Sequence, residues 1–261
     1  MIRGLLLAAL SVIIGCTTVS ASELAEGPIY EDQGVTISYS SKTEKDGQTA
    51  IQMVYENKSG QNLGLMPRVV AVNGKVILWN YWGNGSVHVA DGKKGIDEFI
   101  CDSKSVISID AEYSAFNDDY MVEFITGEIH AGEKVTLEDV GTEIYSDEMM
   151  KLSYVGREGN KFEFCLMNTA DKFYGFDVEN VSINGFTIDD YDNFKLRYIG
   201  SLPGCQTDFK ISLEGGENEE LLSKYGIDSI EQVSFNIDVL IEDSEFNDAS
   251  YTTEMIECDI L

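Results

Sequence analysis

Few side chains in this sequence are of a kind and spacing that do chemistry. Histidine occurs twice, in Ser86-Val87-His88-Val89 and in Glu128-Ile129-His130-Ala131-Gly132. Neither stands in a nucleophile motif. Gly-x-Ser-x-Gly, His-Glu-x-x-His and a glycine-rich phosphate loop are all absent. Paired carboxylates carry no signal, because 46 Asp and Glu residues make acidic neighbours commonplace. These patterns predict a protein that is not an enzyme, and they imply no cofactor.

Three further groups of residues could bind something. Cys101, Cys165, Cys205 and Cys258 remain once Cys16 is set aside. Cys205 and Cys258 fall on inward strand phases, which makes a Cys205–Cys258 bridge the best disulfide pairing; the alternative is four buried thiols acting as small hydrophobes. No Cys-x-x-Cys spacing suggests zinc. Asp243, Glu245 and Asn247 space oxygens at alternate residues, with Glu254 at the twelfth position, which imitates a calcium-binding EF-hand loop. The sixth position holds Asp248 where that loop needs glycine, so a hairpin held by Asn and Asp side chains is the better reading. Trp79, Tyr81 and Trp82 lie in Trp79-Asn80-Tyr81-Trp82-Gly83-Asn84-Gly85, with both tryptophans of the chain. Flat rings beside Asn suit the apolar face and hydroxyls of a sugar. Their other reading is core and sandwich edge.

The chain start indicates where the protein resides. Met1-Ile2-Arg3 is a positive start, and Gly4 to Gly15 is apolar apart from Ser11. That length suits the hydrophobic region of a secretory signal and is too short to span a bilayer. Ile13-Ile14-Gly15-Cys16 looks like a bacterial lipobox that would lipidate Cys16; cleavage after Ala21 would instead release a secreted chain. Residues 23–261 hold 17 basic and 46 acidic residues, a net of −29. Such a surface repels phosphate backbones and anionic headgroups. Nucleic acid is excluded as a partner, and membrane contact is expected through the anchor only.

What must position these residues is a duplicated unit. Ile29-Tyr30-Glu31-Asp32 recurs 115 residues later as Ile144-Tyr145-Ser146-Asp147. Ile51, Met53, Tyr55 and Asn57 recur 111 residues later as Phe162, Phe164, Leu166 and Asn168, and Asn73-Gly74 recurs as Asn184-Gly185. Phe99 and Cys101 fall opposite Phe209 and Ile211, and Phe116-Asn117-Asp118 opposite Phe246-Asn247-Asp248. Period-two alternation between glycine-rich turns, with no long amphipathic helix, predicts an all-β fold. It consists of two tandem immunoglobulin-like antiparallel β-sandwiches after a signal peptide. The expected units are a signal and tether over 1–22, a first sandwich over 23–140 and a second over 141–261. The second has a short helical insert near 217–226, where Glu219-Glu220-Leu221-Leu222 runs to Gly226.

The lipobox-like start, Asn168 to Asp171, Val181 to Gly185, Pro203-Gly204 and Phe246 to Asp248 together resemble surface lipoproteins of gut Firmicutes. Their tandem repeats are immunoglobulin-like domains of unknown function. The first copy departs from this pattern, with Asp91-Gly92 for Pro-Gly and no helical insert. The resemblance implies fold and location and carries over no functional residue. The function expected is a non-catalytic surface lipoprotein that binds a protein or envelope component. The alternative is a carbohydrate-binding module using Trp79 to Trp82.

Overall fold

The computed structural model describes residues 22–43, 48–78, 86–117, 123–188, 198–213, 217–242 and 248–260. The fold is all-β. Its first half runs β1 (Gly27–Asp32), β2 (Val35–Thr43), β3 (Thr49–Asn57), β4 (Leu63–Val72), β5 (Lys75–Leu78), β6 (Val87–Val89), β7 (Lys93–Cys101), β8 (Ser108–Asn117) and β9 (Glu123–Gly132). The second half runs β10 (Thr142–Ser146), β11 (Met150–Glu158), β12 (Lys161–Asn168), β13 (Tyr174–Ile183), β14 (Phe186–Thr187), β15 (Ile199–Ser201) and β16 (Gln206–Ser212). After helix α1 (Glu217–Lys224) come β17 (Gln232–Glu242), β18 (Asp248–Thr252) and β19 (Ile256–Asp259). The stretch read as a helical insert thus carries α1, and Gly226 follows it at φ 66°.

Strand order repeats between the halves. β1-β2-β3-β7 corresponds to β10-β11-β12-β16, and β5-β4-β8-β9 to β14-β13-β17-β18. A bulge interrupts the first hairpin at the matching place in each, before Tyr30 and before Tyr145. Each half buries its own apolar cluster. Ile37, Ile51, Met53 and Tyr55 meet Val70, Val72, Ile109 and Ala111 in the first, and Leu152, Phe162, Phe164 and Leu166 meet Phe176, Ile183, Phe235 and Ile237 in the second. These are alternate residues of their strands, so the period-two pattern is what places them on one face. One register differs from expectation: Phe99 pairs with Ile51 as Ile211 pairs with Phe162. Asp97 therefore occupies the inward place that Phe209 holds in the second half, and burial raises its pKa.

The repeated asparagines close the loops. Asn57 and Asn168 are fully buried. Asn57 Nδ2 donates to the carbonyls of Gln61 and Val89, both at 2.7 Å, and its Oδ1 accepts from the Ser59 amide at 3.0 Å. Asn168 repeats the arrangement with the carbonyls of Lys172 and Ser201 and the Ala170 amide. Asn73 and Asn184 take φ of 52° and 48°, with Gly74 and Gly185 at 75° and 80°. Both central residues of each turn are left-handed, as a type I′ hairpin requires. Their side chains reach on to the strand entry of β8 and β17: Asn73 Oδ1 accepts from the Ile107 amide and Asn184 Oδ1 from the Glu231 amide.

Asp147 performs a similar role at the second half's first hairpin. It accepts from the amides of Met149 (2.7 Å) and Met150 (2.8 Å) and from the hydroxyls of Tyr145 (2.8 Å) and Tyr251 (3.0 Å). Burial works against its charge, but the hydrogen bonds outweigh it and hold the pKa below the usual value.

Two predictions follow from this scaffold. Asn168→Ala leaves two carbonyls and an amide without partners. It should cost about 2–4 kcal/mol in urea denaturation, and a loss below about 0.5 kcal/mol contradicts the role given to it. Asp147 has a depressed folded pKa, so its contribution is present above its unfolded value, about 3.9, and is lost as pH falls through the lower folded value. Stability measured from about pH 6 to pH 2 should therefore fall more steeply in the wild type than in Asp147→Asn; parallel curves contradict this.

Candidate functional site

Several residues singled out from the sequence lie outside the described residues: Cys16, Trp79, Tyr81, Trp82, Asp243, Glu245 and Asn247. Glu254 is exposed ahead of β19. The Cys205–Cys258 bridge is not formed, and both are free, buried thiols. Cys258 faces the second core opposite Val233. Cys205 precedes β16 on the Pro203-Gly204 turn, where its amide donates back to the Leu202 carbonyl at 3.0 Å. The strand's alternation does not extend onto that turn, and Cys205 packs with Val69, Ala71 and Leu202 instead.

That small cluster is the joint between the halves. β5 and β16 pair in parallel with Lys75 opposite Gln206, so one nine-stranded sheet runs through both halves. The Gln206 amide donates to the Gly74 carbonyl at 2.8 Å, and Gln206 Nε2 donates to the Glu138 carbonyl at 2.8 Å. Val69 and Ala71, on the outer face of β4, are fully buried under Leu202, Cys205 and Phe173. Arg68 lies over the Phe173 ring at 5.1 Å, a cation–π contact. Gly200 makes the approach close enough, since a Cβ there would sit 2.0 Å from Val69 Cγ2. The equivalent outer positions of β13, 111 residues on, are Asn180 and Ser182. Apolar residues thus occupy these positions of β4, and polar ones the corresponding positions of β13.

Beside the joint lies a cleft of about 360 Å³. Ser108, Asp110, Glu128 and His130 line it from β8 and β9, Lys134 and Val135 from the connection to the second half, and Leu202 to Cys205 from the turn before β16. Asp110 and His130 are direct cross-strand partners, with His130 Nδ1 2.5 Å from Asp110 Oδ1. That contact orients the ring. Burial pushes the Cys205 thiol up to about 12, with the Asp110 charge adding and Lys134 opposing. At neutral pH it is therefore a protonated thiol and a poor nucleophile. The cleft sets charges of both signs beside apolar Leu202, Pro203 and Val135. Among the described residues, no three His, Cys, Asp or Glu side chains converge as metal ligands.

No protein-family model and no curated protein sequence matches this chain.

None of the cleft residues was grouped by sequence reasoning. Asp110 and His130 meet only through the β8–β9 register, and Lys134 and Cys205 belong to different halves. One signal was present. Val69-Val70-Ala71-Val72 is apolar without interruption, the mark of a strand covered on both faces, whereas Asn180-Val181-Ser182-Ile183 alternates.

If Gly200 is needed for the joint, Gly200→Ala should destabilise the protein by about 1–3 kcal/mol in urea denaturation. Adding Val69→Ala, which removes the clashing methyls, should make the pair cost less than the two single losses summed. A neutral Gly200→Ala contradicts the packing described.

Proposed function

We propose that this protein is an exported, lipid-anchored binding protein of two tandem immunoglobulin-like β-sandwiches, 23–140 and 141–261. It binds a protein or envelope component without catalysis, and the cleft between the sandwiches is its recessed ligand seat. The observation that carries this reading is the cleft itself, walled by both halves and lined with unlike charges. Recessed sites where two units meet are common ligand seats. The strand order supports the immunoglobulin-like assignment: β2-β3-β7 and β5-β4-β8-β9 fall in the order A-B-E and C′-C-F-G of that fold.

Anchoring at Cys16 rests on the lipobox-like Ile13-Ile14-Gly15-Cys16. Ser22 Oγ donates to Glu133 Oε1 at 3.1 Å, next to Lys134 of the cleft. The protein's acidic surface then leaves the anchor as its membrane attachment.

A second reading, carbohydrate binding through Trp79, Tyr81 and Trp82, is favoured by one observation in the other half. Phe186 directly follows Gly185, remains 46% exposed and stacks on Tyr225 with centroids 5.6 Å apart. Aromatic residues after both Asn-Gly turns could form platforms for sugar rings.

Membrane fractionation of the wild type and Cys16→Ala tests the anchor. The wild type should pellet with membranes and Cys16→Ala should not; two soluble proteins contradict lipidation. Glycan-array binding that is lost in Trp82→Ala would move the function to the aromatic segment.

A further inference from the structure

Charge in the cleft is not closed upon itself. Asp110 gives one oxygen to His130. Glu128 stands on the neighbouring strand two residues from His130 and is exposed. Lys134 crosses the turn at Gly204, where a Cβ would lie 3.5 Å from its Nζ, so the ammonium rests over bare backbone. Neither Glu128 nor Lys134 forms an ion pair with another described residue. Leu202, Pro203 and Val135 supply apolar contact between these charges.

This combination selects among ligand classes. An anion alone would meet Asp110 and Glu128 in a protein already at net charge −28. A cation alone would meet Lys134. A neutral ligand would cover three charges and pair none of them, which costs desolvation without return. A molecule with one charge of each sign and an alkyl body fits all three features. We propose that the cleft binds a small zwitterion, a free aliphatic amino acid. Its carboxylate lies on Lys134, its ammonium between Glu128 and Asp110, and its side chain against Leu202 and Val135. The cavity volume admits such a molecule with water. This assignment rests on the reading of the cleft as the ligand seat.

His130 provides a local readout, since the chain has only two histidines and His88 lies on β6 outside the cleft lining. The full chain in detergent is titrated with leucine, leucinamide and N-acetyl-leucine while the two imidazole resonances are followed, His130→Gln fixing their assignment. Leucine should shift His130 and leave His88 in place. Leucinamide lacks the carboxylate and N-acetyl-leucine lacks the ammonium, so each should bind at least about tenfold more weakly. Lys134→Met should abolish the preference for leucine over leucinamide. Glu128→Gln should abolish the preference over N-acetyl-leucine. Both side chains are exposed, so these variants keep the fold. The proposal is overturned if leucine at about 10 mM leaves His130 unmoved, or if the blocked compounds bind as well as leucine. Soluble peptidoglycan fragments are titrated in parallel. If they shift His130 and leucine does not, the ligand class is wrong and the cleft remains the seat; if none of these compounds shifts it, both readings fall.

Discussion

Strand β4 carries side chains that need cover on both of its faces. Val70 and Val72 fill the first core, while Val69 and Ala71 point out of it and are buried only because the second half lies over them. At roughly 25 cal/mol per Å² of apolar area, leaving that outer face in water would forfeit stability the first half cannot recover alone. Cover in turn demands a close approach. Gly200 permits it by having no side chain, the Pro203-Gly204 turn brings Leu202 and Cys205 down onto the strand, and the β5–β16 pairing sets the height of the contact. Once these are met, the turn stands opposite Asp110 and His130 at a set distance. The cleft is a consequence of how the halves close on each other.

Much of the fold was legible because it is local. Alternation in Ile51-Met53-Tyr55 and Phe162-Phe164-Leu166 reports which side chains share a face, and Asn73-Gly74 and Asn184-Gly185 report turns. The duplication was readable because the buried asparagines need the same partners in both copies, so their spacing repeats. Register was less legible: Asp97 stands where the second half has Phe209, since edge strands tolerate such shifts when the neighbouring pairs still alternate. The cleft was not legible. Its charged groups come from β9, from the connecting segment and from β8, and only tertiary closure sets them against the turn. Of the two readings of the cysteines, the structure shows four buried thiols; the Cys205–Cys258 pairing carried strand phase onto a turn where it no longer applies. The aromatic segment Trp79 to Trp82 and the oxygen-rich loop at Asp243 lie outside the described residues.

The thiols and the charges of this molecule point the same way chemically. Cys165 and Cys205 are pushed up to about 12 and Cys258 to about 11, each first by burial, so all three behave as small apolar groups at neutral pH. Reactivity is suppressed at Cys205, where the two halves meet, and Lys134, Glu128 and the His130–Asp110 pair line the cleft beside it. A site of that composition discriminates by charge and shape, and a strongly acidic surround makes the single lysine at the turn the group that admits an anionic end.

The joint can be tested directly through one backbone proton. The Gln206 amide bonds to Gly74 across the halves, so its hydrogen exchange reports closure and nothing else in either core. In the wild type it should exchange as slowly as the amide of Phe209 within the same strand. Replacing Val69 and Ala71 by the residues of the second copy, as Val69→Asn with Ala71→Ser, should speed it toward the rate of an unprotected amide while Phe209 stays slow. Rapid exchange of Gln206 in the wild type, or no change in the double variant, would contradict a joint held by the outer face of β4.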